Sequence, residues 1–205
     1  MWMEKTDWEK AVEFHGHSCP GLATGYRVAQ IALRELAETR ASDEELVAIV
    51  ENDACGVDAV QVLSGCTLGK GNLLFRDHGK HVFTFICRNS GRAVRIAVKG
   101  SAFRWDDGNS RALREKVFSG TATSEEEQLF QRHQEERICH IMKVPEEEFC
   151  TVRQINVELP PRARIFPSVT CAFCGEPAAE AKARVQEGKF ACIPCAGEFL
   201  SRKPS

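Results

Sequence analysis

Two groups of residues in this 205-residue chain have the types and spacing for chemistry at a metal or a thiol. In Glu13-Phe14-His15-Gly16-His17-Ser18-Cys19-Pro20-Gly21, two imidazoles and a thiol fall on alternate residues. In an extended backbone alternate side chains leave the same side, so His15, His17 and Cys19 can face one point that suits a soft or borderline ion. Pro20 is a natural first helical residue, which puts Cys19 at the helix N-cap, where the positive end of the macrodipole is expected to lower its pKa. The second group is Cys171-Ala172-Phe173-Cys174 and Cys192-Ile193-Pro194-Cys195. Its spacing matches a four-cysteine zinc site, and four thiolates close the shell, so the zinc expected there is structural.

Further candidates lie where a strand ends. Leu46 to Val50 is a short apolar run that reads as a buried strand, and it leads into Glu51-Asn52-Asp53-Ala54-Cys55-Gly56. Loops after strands are where sites are built, which singles out Asp53, Cys55 and, after the next helix, Cys66. Two thiolates and an imidazole from Cys19, Cys55 and His17 would hold zinc or a similar ion, with Asp53 in support and Cys66 as an alternative sulfur. In the alternative thiol chemistry Cys19 or Cys55 is the nucleophile and His15 its base. Gly65 to Lys70 is one residue short of a phosphate loop, and Gly71 stands where magnesium needs Ser or Thr, which sets nucleotide hydrolysis aside. A glycine-rich anion nest beside Lys70 remains as an expectation.

The elements that must position these residues can be read in outline. Thr6 or Asp7 caps a helix through Phe14, and a long amphipathic helix runs from Pro20 to about Arg40. Along it Gly21, Gly25 and Ala29 form a small-residue stripe that could admit a partner helix and make a dimer. A helix over Val57 to Leu63 follows the first strand. Leu73 to Phe75, His81 to Cys87 and Ala93 to Val98 read as an antiparallel meander. Next come a turn at Trp105-Asp106-Asp107-Gly108, a helix from Arg111 to Phe118 and a helix to Met142 opened by a capping box at Ser124. One more helical turn at Pro145 and a strand from Cys150 to Leu159 complete the core. The fold class expected is α+β, helices packed on a mainly antiparallel sheet, followed by a small treble-clef finger. Residues 1–159 form the core, 160–170 a Pro/Arg linker and 171–205 the finger, whose hairpin turns at Glu187-Gly188.

Composition narrows the class. Apolar residues make up 43 % and charged residues 27 %, as in an ordinary globular protein. Residues 160–205 carry seven Lys/Arg against four Asp/Glu, a net +3, and residues 1–159 carry 20 against 25, a net −5. That basic excess is small for nucleic-acid binding, which is expected to be at most a secondary use of the finger. The N-terminal residues have no leader pattern and no stretch is apolar enough to span a membrane, so a cytoplasmic protein is expected. Ten cysteines in a reducing compartment point to metal ligation, thiol chemistry or burial rather than disulfides.

Taken together, Phe14-His15-Gly16-His17-Ser18-Cys19-Pro20-Gly21, Asp53-Ala54-Cys55-Gly56-Val57-Asp58, Gly65-Cys66-Thr67-Leu68-Gly69-Lys70-Gly71-Asn72 and Asp77-His78-Gly79-Lys80 resemble the FmdE family. The family takes its name from the FmdE component of the molybdenum/tungsten formylmethanofuran dehydrogenase. The resemblance implies an α+β core, a homodimer, and a metal or thiol site at His17, Cys19 and Cys55 with Asp53 and Cys66 nearby. It also implies, in some members, a following treble-clef finger of the TraR/DksA-like type. The function it implies is that of a metal-binding accessory subunit in one-carbon redox metabolism and methanogenesis, with molybdenum or tungsten oxidoreductase subunits as partners. The alternatives are a stand-alone thiol- or metal-dependent oxidoreductase, or a dimeric regulatory zinc-finger binding protein.

Overall fold

The computed structural model describes residues 4–103 and 110–197. The expected turn at Trp105 to Gly108 and the end of the last helix lie outside them. The chain divides into two compact units, residues 1–162 and 163–205.

The first unit begins with α1 (Asp7–His15), where Thr6 accepts from the Glu9 N–H and Glu9 reaches back to the Thr6 N–H, a reciprocal capping box. Helix α2 (Pro20–Leu36) starts as its sequence demands: Cys19 is the N-cap, Pro20 opens the first turn, and Sγ of Cys19 accepts from the Leu22 N–H at 3.3 Å. Its buried face carries Leu22, Ala23, Val28, Ala29, Ala32 and Leu36. Strand β1 (Leu46–Val50) is buried along its whole length and leads to α3 (Gly56–Ser64).

The small residues of α2 serve a contact within the chain. A Cβ placed on Gly25 would lie 1.9 Å from the carbonyl oxygen of Gly56, so the backbones of α2 and α3 touch with no room for a methyl group. A Cβ on Gly21 would come 3.1 Å from Cβ of Cys55. The stripe assigned above to a partner helix is therefore filled by α3, and it gives the expected dimer no support.

The sheet contains β2 (Leu73–Phe75), β1, β3 (Val82–Cys87), β4 (Ala93–Val98) and β5 (Cys150–Ile155), in that order. Strands β1, β3, β4 and β5 are antiparallel to their neighbours. β2 departs from the expected meander: it lies at the edge, parallel to β1, with Ala48 opposite Leu73. Buried Asn72 sets that placement, since its Nδ2 donates to the carbonyls of Asp43 and Leu46 and its Oδ1 accepts from the Thr67 N–H. The connection from β1 through α3 then returns the chain parallel. Lys70, expected beside an anion nest, points Nζ at the carbonyls of Ser42 and Asp43.

After a 3₁₀ turn (Gly100–Phe103) come α4 (Ser110–Phe118), α5 (Ser124–Lys143) and the single turn α6 (Glu146–Phe149). The capping box of α5 is centred on Thr123 with Glu126, one residue before the Ser124 read from the sequence. Helix α5 packs on α2, where Arg27 donates to the Ile141 carbonyl at 2.6 Å and its guanidinium sits 4.6 Å from the centre of the Phe149 ring. β5 stops at Ile155, short of the predicted Leu159, because Val157 and Leu159 are exposed. Cys87 is buried, as its apolar strand requires, and its thiol donates to Glu38.

The second unit is built from β6 (Ser168–Thr170), β7 (Pro177–Ala179), β8 (Arg184–Gln186), β9 (Lys189–Ala191) and α7 (Ile193–Ala196). β6 pairs with β7 and β8 with β9, both antiparallel. Glu187 (φ 51°) and Gly188 (φ 72°) are both left-handed, as a two-residue hairpin turn between right-twisted strands requires. The fold class is α+β with a small cysteine-bearing unit at the C-terminal end.

Candidate metal centre

The core site is assembled by three helix ends. His15 is the last residue of α1, Cys19 caps α2, and Cys55 stands just before α3. One ligand atom from each of His15, Cys19 and Cys55 lies within 4.8 Å of the others. Nε2 of His15 is 3.8 Å from Sγ of Cys19. Around a tetrahedral ion with a zinc–sulfur distance of about 2.3 Å, neighbouring ligand atoms stand about 3.5–3.8 Å apart, so the donors fit an ion of that size with little movement. Three protein ligands leave a fourth position open.

The other ring nitrogen of His15 explains how the imidazole is held. Nδ1 is 2.7 Å from Oδ2 of Asp58, whose Oδ1 accepts from Gln61 at 3.4 Å. A carboxylate on Nδ1–H favours the tautomer that turns the Nε2 lone pair toward Cys19, the orienting contact metal-bound histidines characteristically have. The sequence motif contains Asp58 without marking its role. Its spacing from Cys55 is the signal that could have found it, because residues three apart share a helix face.

The remaining sequence candidates occupy other places. His17 is exposed and stacks on His15, ring centres 4.5 Å apart, outside the three-residue group. The alternating-residue argument fails there because His15 is helical and Gly16 turns the chain with a left-handed φ of 91°. Asp53 is exposed, and Cys66 is fully buried beside Ser64; neither joins the group. The neighbouring Asn52 donates to the Lys80 carbonyl and accepts from the Ala54 N–H, which fixes the loop that delivers Cys55.

The thiol of Cys19 differs from expectation. Burial raises its pKa, and the adjacent Cys55 raises it further, while the Leu22 N–H at the helix start lowers it less. Two neighbouring thiols in a half-buried site resist becoming two thiolates unless a cation joins them.

Beside the thiols a cleft of about 700 Å³ opens between the 3₁₀ turn, α4 and α5. Phe103, Phe118, Phe130, Arg114 and Arg137 line it, and Cys19 and Cys55 lie at one end. None of these wall residues stood out in the sequence, since α5 meets Cys19 across more than a hundred residues of chain.

In the second unit, ligand atoms of Cys171, Cys174, Cys192 and Cys195 all lie within 4.8 Å of one another, and the sulfurs of Cys174 and Cys192 are 3.8 Å apart. The N–H of Cys192 points at Sγ of Cys171 at 3.3 Å. Backbone donors of Cys192, Cys174 and Phe173 pull the Cys171 thiol down to about 6. Crowding by Cys192 and Cys174 pushes Cys195 up to about 12. That split is expected of four sulfurs gathered in a zinc-finger arrangement with no cation to share.

Residues 14–151 match the sequence profile described as FmdE, Molybdenum formylmethanofuran dehydrogenase operon. A probable S-adenosyl-L-methionine-binding protein of Archaeoglobus fulgidus is 37 % identical over 198 residues, covering 94 % of this chain and 53 % of that protein. The chain thus spans about half the length of this curated relative. The crystal structure of an FmdE-like protein of the tungsten formylmethanofuran dehydrogenase type, from Syntrophus aciditrophicus, superposes with a TM-score of 0.59. That comparison covers 96 % of this chain and 94 % of the other at 24 % identity, a likeness of fold. With its family profile matched over residues 14–151, the chain belongs to the FmdE family.

Proposed function

We propose that this protein is a metal-carrying accessory subunit for a molybdenum or tungsten one-carbon oxidoreductase, with zinc held in its core by His15, Cys19 and Cys55. The convergence of those three donors, with Asp58 orienting the imidazole, is the observation that carries the reading. Zinc in such a three-ligand site supplies a Lewis acid and brings the pKa of a bound water to about 7. The chain's own part is to hold the donors: Asp58 keeps the proton on Nδ1, Cys19 and Cys55 offer sulfur, and the Gly21 and Gly25 contacts set their separation. A second zinc closes the four-cysteine finger and serves structure there. The family relation supports formylmethanofuran dehydrogenase-type partners and a cytoplasmic setting, and no helix among the described residues is long and apolar enough to cross a membrane. Self-association is part of the proposal on the family resemblance alone.

A metal-free reading has Asp58, His15 and Cys19 as carboxylate, base and nucleophile. The raised pKa of the Cys19 thiol favours the metal. The two separate on Asp58→Asn. Losing the orienting carboxylate is expected to weaken core metal affinity by about 10–100-fold, read by competition with a coloured chelator. Unchanged affinity together with one rapidly alkylated thiol would establish the nucleophile instead.

The name of the Archaeoglobus relative supports a second reading for the cleft, binding of S-adenosyl-L-methionine, whose adenine could stack on the phenylalanine rings. Calorimetric titration of the full chain decides it. Saturation near one equivalent supports that cofactor, and no heat beyond dilution removes it.

A further inference from the structure

The cleft above the thiols has a one-sided chemistry. Its cations are Arg114 and Arg137, its rings are Phe103, Phe118 and Phe130, and no carboxylate appears among the described residues that line it. Arg137 is half-buried on α5 and has no carboxylate partner among the described residues. A guanidinium drawn partly out of water without a counter-ion attracts an anion more strongly than one on an open surface, because screening there is weaker. The apolar wall is equally short of partners. Phe118 is 72 % exposed, stands edge-on to Phe130 with ring centres 6.1 Å apart, and has the Arg114 guanidinium 5.5 Å over its own ring. An aromatic ring so exposed beside a cavity gains by being covered, and flat apolar groups cover it best.

We infer that the cleft binds a small molecule that joins an anionic oxygen group, a carboxylate or a phosphate, to a flat apolar body. The anion rests on Arg137 with Arg114 beside it, and the body lies against Phe118 and Phe130. The inference rests on the metal reading only for what the ligand meets at the thiol end, since both arginines and all three rings belong to the cleft wall. Guanidinium forks match carboxylate and phosphate oxygens alike, so the structure selects the shared chemistry.

The test uses the full chain as purified and two fluorescent probes with the same rings, 8-anilino-1-naphthalenesulfonate and its uncharged counterpart N-phenyl-1-naphthylamine. The anionic dye is expected to bind at one site, and Arg137→Gln to weaken it by about tenfold or more, as loss of a charge-assisted contact does. Arg137→Lys should restore most of the affinity, and the neutral dye should be indifferent to both changes. Phe118→Ala, at an exposed position, should weaken both dyes. Benzoate or phenyl phosphate should displace the anionic dye at concentrations where inorganic phosphate does not, and the better of the two identifies the anion. Equal binding of the two dyes with no effect of Arg137→Gln would overturn the inference, as would failure of both organic anions to compete. Metal content measured on the same samples separates the two readings. Arginine-dependent dye binding by protein without core metal leaves this inference standing and removes the metal; a full metal complement with arginine-independent dye binding does the reverse.

Discussion

Gly25→Ala should lower the thermal midpoint of the protein by roughly 6–12 °C, the shift expected of about 3 kcal/mol in a chain of this size. On helix propensity alone the substitution would stabilise by about 1 kcal/mol, so the sign of the change is decisive. The added methyl would lie 1.9 Å from the Gly56 carbonyl oxygen and 2.4 Å from its Cα, and these are backbone atoms that no rotamer change can move aside. Helices α2 and α3 would have to part. Cys19 caps one and Cys55 precedes the other, so separation also pulls apart the sulfurs of the proposed centre. Differential scanning calorimetry of the variant, with its metal content, reads both effects. A midpoint at or above that of the parent would show that the helices do not touch there.

The finger should respond still more strongly to loss of one ligand. Among the described residues of the second unit, Cys171 and Ala191 are the buried apolar ones, so little core exists to hold its two hairpins. Structural zinc contributes about 10–16 kcal/mol of apparent binding free energy in small fingers, far more than such a core supplies. Cys192→Ser is therefore expected to release one equivalent of metal and to make residues 163–197 rapidly cleavable by protease, leaving a resistant fragment ending near Arg162. Protection of that segment equal to the parent's would show that the finger folds without its ion.

What the sequence disclosed and what it hid follow the range of the interactions. Local signals were legible: Thr6 and Cys19 as caps, β1 as a buried apolar run, the Glu187-Gly188 turn, and the spacing that gathers Cys171, Cys174, Cys192 and Cys195. Long-range choices were not. β2 lies beside β1 because of what the buried Asn72 amide reaches, and nothing in Leu73 to Phe75 itself states that pairing. The glycine stripe announced a close approach, but only the fold shows that its partner is Gly56. At the centre the thiols stood out, whereas the choice of His15 over His17 depends on one left-handed glycine, and Asp58 approaches across 43 residues of sequence. The cleft wall on α5 is amphipathic in the ordinary way and carries no local mark of a site.

Metal content of the full-length protein after gel filtration through dilute chelator tests the central claim most directly. Two sites predict about two equivalents of zinc in the parent, and about one in Cys19→Ser or Cys55→Ser, as expected when a single site of each kind is lost. Cys87→Ser, whose sulfur is buried against Glu38, should keep both ions. Two equivalents retained in both Cys19→Ser and Cys55→Ser, or a parent that carries only the ion lost with Cys192→Ser, would contradict a metal centre at His15, Cys19 and Cys55.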